Sequence, residues 1–103
     1  MERRKDIRFR ARFDALISSG PAEGAGVLTD LSYSAARMEE VSLRPDLGTR
    51  VRLYVFVQPV APFELVGRVT RHTESGFVIL YEVFDPEVRR LVDDVSAIVE
   101  TPL

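Results

Sequence analysis

Cysteine is absent from the 103-residue chain, and histidine occurs once, at His72. The first absence excludes disulfides, thiolate nucleophiles and zinc–cysteine sites; the second leaves no histidine cluster for a metal. No apolar run reaches the ~20 residues that cross a bilayer as a helix, and the N-terminus is charged rather than signal-like. A cytoplasmic protein without membrane insertion is expected. A chain of this length forms one domain with one core. Catalysis has little to draw on. Ser32 or Ser75 would need a base, and His72, beside Thr70 and Thr73, is expected at the surface. The acidic pairs Glu39-Glu40 and Asp93-Asp94 are adjacent in sequence and do not converge on one point. There is no phosphate-loop motif. No catalytic residue and no metal ligand is assigned, and the expectation is a protein that is not an enzyme.

What is present is unevenly placed. The net charge is -2, yet residues 1–12 carry six of the fourteen Lys and Arg against Glu2 and Asp6. That stretch holds +4 and the remainder -6. A basic arm on an acidic body fits a local anion site better than a broad nucleic-acid surface. A solubilising charged tail is the alternative. Arg4 and Arg8 are four residues apart, and guanidinium groups grip phosphates in bidentate fashion and stack on flat rings. Arg10 and Arg12 follow on what reads as the polar face of a strand, where charges also discourage aggregation.

Beyond the arm (residues 1–8), period-two alternation dominates. Phe9, Ala11, Phe13, Ala15 and Ile17 share one face against Arg8, Arg10, Arg12 and Asp14, with Leu16 out of pattern. Ser18-Ser19-Gly20-Pro21 ends that strand. Residues 23–26 read as loop or as the start of a flexible strand through Val27-Leu28-Thr29. Further strands are expected at 36–39, 50–57, 64–71 and 77–83, the prolines at 59 and 62 marking a connection. In the strand from Arg50, Tyr54 and Phe56 make the second face partly apolar. In the strand from Glu64, Leu65, Gly67 and Val69 share one face. Asp85-Pro86-Glu87 opens a helix at about 86–99, with Val88, Leu91, Val92 and Val95 at helical spacing. Strands without intervening helices predict an all-β fold: a small six-stranded antiparallel barrel with a C-terminal helix.

Between the second and third strands lies Asp30-Leu31-Ser32-Tyr33-Ser34-Ala35. Asp30 could accept from the ring N–H and amino group of a guanine, and Ser32 with nearby backbone N–H groups could hold a phosphate or a base edge. Equally, Asp and Ser often cap their own turns.

Arg4-Lys5-Asp6-Ile7-Arg8 and Asp30-Leu31-Ser32-Tyr33-Ser34-Ala35 together resemble the two signatures of the PilZ domain, a bacterial receptor module for cyclic di-GMP. The first signature is Arg, three residues, Arg; the second is Asp or Asn, any residue, Ser, two residues, Gly. The resemblance covers nearly the whole chain and implies the barrel-plus-helix fold. It implies that Arg4 and Arg8, with Lys5 between them, hold phosphates and stack on guanine. Asp30 and Ser32 would contact a guanine from the barrel, beside Ala35. The arm would close over the ligand and alter a surface shown to an unidentified protein effector. Cyclic di-GMP is then a regulatory ligand rather than a cofactor, and a monomer or weak homodimer is expected. Two positions depart from the pattern: Ala35 stands where the family has glycine, and Val78 precedes Tyr81 where a glycine is common. If position 35 needs a positive φ, alanine costs about 1 kcal/mol; if glycine serves only close ligand approach, the methyl bears on affinity. A degenerate PilZ-like protein-interaction module that binds no nucleotide is the alternative function. A nucleic-acid binder using the arm with Tyr54 or Phe56 is disfavoured by the acidic remainder.

Overall fold

The computed structural model describes residues 9–57 and 62–82, together with Arg90 and Asp93. The arm at 1–8 lies outside the described residues, as does the expected helix at about 86–99 apart from those two positions. Six strands are described: β1 (Phe9–Ser19), β2 (Ala22–Leu31), β3 (Ala35–Glu39), β4 (Arg50–Val55), β5 (Phe63–His72) and β6 (Phe77–Tyr81). They close into an antiparallel barrel in the order β1-β2-β3-β6-β5-β4, with β4 returning to β1. Residues 23–26, open between loop and strand in sequence, belong to β2. The strand expected to run from Arg50 to position 57 leaves the ladder at Val55.

Alternation drives the closure. In β4 every second residue is buried (Val51, Leu53, Val55), and Leu65, Gly67 and Val69 face inward from β5. Phe77, Ile17, Leu28, Leu31, Met38, Leu53, Leu65 and Ile79 are the largest side chains sealed in the core. Each such side chain stabilises the fold by about 1.5–3 kcal/mol. Leu16, out of pattern in the sequence, stays on the outer face and is 48% exposed. The β1–β2 hairpin turns through Gly20-Pro21, with Ser19 paired to Ala22. Gly20 has φ 60°, and Pro21 after it is confined to negative φ, so the loop is of the II′ kind, with glycine first.

Register matters most for the site. Phe9 pairs with Leu31 and Arg10 with Asp30, so the chain enters the barrel beside the turn that follows β2. The same level continues around the barrel: Asp30 pairs with Arg37, Arg37 with Val78, and Val78 with Arg71. One row thus crosses β1, β2, β3, β6 and β5.

Candidate functional site

Three irregularities in the ladder bracket that row. β1 gains a residue between Arg10 and Phe13, β2 between Leu28 and Asp30, and β5 between Val69 and Arg71. In β2 and β5 the extra residue is a bulge that reverses the side-chain parity beyond it, whereas burial in β1 alternates unbroken through its own. Strict alternation from buried Leu28 would send Asp30 inward; the bulge at Thr29 turns it out and buries Leu31 instead. Alternation from buried Val69 would likewise send Arg71 inward, and the bulge at Thr70 leaves it exposed. The Thr70 hydroxyl donates to the Val78 carbonyl at 3.3 Å, patching the ladder where the bulge interrupts it.

Two adjoining hollows open on this row. A notch of about 50 Å³ is lined by Asp30, Leu31, Ser32, Ala35, Ala36, Arg37, Arg71 and Val78. A wider depression of about 330 Å³ lies on the other side, between Arg10, Ala11, Thr29, Asp30, Arg37 and Glu39. Asp30 and Arg37 border both. Three arginines face two carboxylates here, so the patch is locally positive on an acidic body.

Ser32 is 2% exposed, and its hydroxyl is committed to the turn. Its backbone N–H donates to the Ala35 carbonyl at 2.9 Å. In the return direction, the Ala35 N–H donates to Ser32 Oγ at 3.1 Å, and the Ser34 N–H reaches the same oxygen at 3.3 Å. The side-chain oxygen thus serves as the acceptor that closes the two-residue loop. Tyr81 clamps the loop from β6: its hydroxyl donates to the Ala35 carbonyl at 2.9 Å and lies 3.2 Å from the Ser32 carbonyl. The Tyr33 hydroxyl donates to Asp93 at 2.6 Å. Asp30 and Ser32 therefore do not share an outward face, because the strand ends between them. Ala35 opens β3, and among the described residues Glu40 (φ 53°) is the one non-glycine with a positive φ. Alanine is thus unstrained at position 35, and its side chain bears on the notch that it lines.

Arg37 is held by Glu39, whose carboxylate accepts from Arg37 Nε, from the Thr73 hydroxyl at 3.0 Å and from the Ser75 hydroxyl. The hydrogen bond to Glu39 raises the Arg37 pKa further, against the opposing effect of burial, and the fields of Glu39 and Asp30 add to it. Burial pushes the Glu39 carboxyl up, but hydrogen bonds from Ser75, Arg37 and Thr73 outweigh it and hold the group below its ordinary value. A carboxylate depressed in this way stabilises the fold above its unfolded pKa. That stability is lost as pH falls through the folded pKa. Glu39→Gln is expected to be less stable than wild type at neutral pH by about 1–3 kcal/mol. The gap should close as pH falls from about 4.5 downward, read in thermal melts across pH.

Of the residues expected from sequence, Asp30, Ser32 and Ala35 come together here, Ser32 as the turn's internal clamp. Arg4, Lys5 and Arg8 lie outside the described residues. Arg10, Arg37 and Arg71 join the site without having been singled out for it. An arginine at the inward parity of Leu65, Gly67 and Val69 was the available signal for Arg71. His72 is exposed as expected and donates from Nε2 to the Pro45 carbonyl at 2.8 Å. Among the described residues, no His, Asp and Glu side chains cluster as a metal site would, and no helix is long and apolar enough to cross a membrane.

Comparison with known proteins agrees with the barrel fold. The PilZ domain of CeSA from a cellulose-synthesizing bacterium superposes with a TM-score of 0.72 at 18% identity, covering 87% of this chain and 98% of that one. The Bacillus subtilis inhibitor of motility (MotI/DgrA) gives a TM-score of 0.73 at 15% identity, covering 98% of this chain and 55% of that one. At these identities the likeness is one of fold. No match was found among curated proteins. The family description "PilZ domain" matches residues 2–96, nearly the whole chain. The chain therefore belongs to the PilZ family, whose domains are non-catalytic receptor modules for cyclic di-GMP.

Proposed function

We propose that this protein is a cyclic di-GMP receptor or adaptor in which the arm and the Asp30 row grip one ligand. Strand register is the observation that carries this reading. Because Phe9 pairs with Leu31, Arg8 is covalently tied to a position beside the motif turn. Arg4 is five residues from Phe9, within a chain reach of roughly 17 Å. The chemistry is complementary. Cyclic di-GMP carries two phosphodiester anions and two guanines. Arg4 and Arg8, with Lys5, hold phosphates and stack on guanine. Asp30 accepts from the N1–H and amino group of a guanine. Ser32 acts by keeping the turn in shape, and the Ala35 methyl packs beside the base. The ligand is regulatory: arm closure changes the surface offered to a protein effector.

A second reading, a protein-interaction module without nucleotide binding, draws on Leu16, Tyr54 and Phe56. They are 48%, 38% and 39% exposed, and Leu16 is paired with Tyr54 across β1 and β4. Isothermal titration with cyclic di-GMP separates the two. Saturable heat at micromolar ligand or below is expected from the receptor. No heat at high micromolar ligand, from protein shown to be folded, overturns it in favour of the interaction module.

A further inference from the structure

Seven arginines lie on the barrel strands, and five of them have an acidic partner. Arg12 pairs with Glu40, Arg37 with Glu39 and Arg52 with Glu64, while Arg50 and Arg68 share Glu82. Arg10 and Arg71 have no such partner among the described residues. Arg71 is also the residue that the β5 bulge moves from the inward to the outward parity, and it arrives on the wall of the notch that Asp30 borders. A closed barrel has no free edge for a bulge to protect. What this bulge achieves is to re-aim one cation, as bulges beside binding sites do.

From this we infer that Arg71 is a recognition residue for the guanine base, contributed by the barrel. The inference rests on the cyclic di-GMP reading above. The notch is too small for a whole base but admits the edge of one, and its floor is apolar, from Leu31, Ala36 and Val78. Asp30 on one wall is acceptor-only when ionised and suits the N1–H and amino donors of guanine. Arg71 on the opposite wall is donor-only and suits the O6 and N7 acceptors, which a guanidinium engages as a bidentate pair. Together they match guanine on both sides. Adenine presents an amino donor where guanine has O6, so it meets Arg71 with the wrong polarity. Arg37 between them is already held by Glu39, so it supplies fixed positive charge rather than a free fork.

Titrations of wild type, Arg71→Ala and Arg71→Lys with cyclic di-GMP and with cyclic di-AMP test this. Arg71 is exposed, so the substitutions should leave the melting temperature unchanged. Arg71→Ala is expected to weaken cyclic di-GMP binding about ten-fold or more and to narrow the preference over cyclic di-AMP. Arg71→Lys should leave most of that loss in place, because an ammonium keeps the charge but not the fork. Wild-type binding with Arg71→Ala unchanged overturns the role of Arg71 alone and leaves the receptor reading standing. Equal weakening of both ligands, or full recovery in Arg71→Lys, overturns guanine recognition in favour of general charge. Absence of wild-type binding removes the receptor reading and this inference with it.

Discussion

Gly76→Ala is expected to lower the melting temperature by roughly 12–24 °C, the shift that about 3 kcal/mol produces in a domain of this size. Gly76 lies in the β5–β6 turn, where its backbone passes directly over β3. A Cβ there would stand 1.8 Å from the Met38 carbonyl oxygen, 2.6 Å from its carbon and 2.8 Å from the Glu39 Cα. All three are backbone atoms, so no side chain can swing aside. Overpacking typically costs about 1–3 kcal/mol, and an obstruction built of backbone belongs at the upper end or beyond. The displaced residues are those that position the site: Glu39 holds Arg37, and Ser75 beside Gly76 holds Glu39. Ligand binding should weaken along with stability. A thermal melt within about 3 °C of wild type would show that the turn stands farther from β3 than described.

Asp30→Ala should abolish measurable cyclic di-GMP binding, or weaken it by about 100-fold or more, while leaving the fold intact. Hydrogen bonds to a charged group each contribute about 1.5–3 kcal/mol, and Asp30 would make two with one guanine. The substitution also leaves Arg37 with only Glu39 beside it, removing the carboxylate that borders both hollows. Little stability is at stake, because Asp30 points outward beyond the β2 bulge and the core residue at this level is Leu31. Titration calorimetry reads the binding and circular dichroism the fold. Unchanged affinity in a folded Asp30→Ala would place the ligand elsewhere on the surface.

The barrel was largely legible in the sequence because burial follows alternation so closely. Ile17 against Leu16, Leu53 against Tyr54 and Leu65 against Glu64 each read correctly from period two alone. The self-capped turn was legible as one of two options for Ser32, since a serine hydroxyl can close a tight loop as readily as it can meet a ligand. Residues 23–26 stayed open because a Gly-Ala-Gly stretch carries little strand propensity; pairing with β1 decides their state. The bulges were signalled only indirectly, by a charged side chain such as Arg71 falling at an inward position two residues after Val69. A single inserted residue at Thr29 or Thr70 leaves no mark in composition, yet it reverses the facing of everything beyond it, which is how Arg71 escaped notice. Register was also beyond reach, since the pairing of Phe9 with Leu31 is a long-range fact settled by closure of the whole barrel. That pairing, more than either motif by itself, joins the basic arm to the turn.

Amide chemical-shift mapping during titration with cyclic di-GMP tests the joint grip most directly. The account predicts saturable shifts confined to the arm before Phe9, to the turn from Leu31 to Ala35, and to Arg10, Asp30, Arg37, Arg71 and Val78 along the row. Shifts centred instead on Leu16, Tyr54 and Phe56, or a spectrum that ligand leaves unchanged, would contradict it.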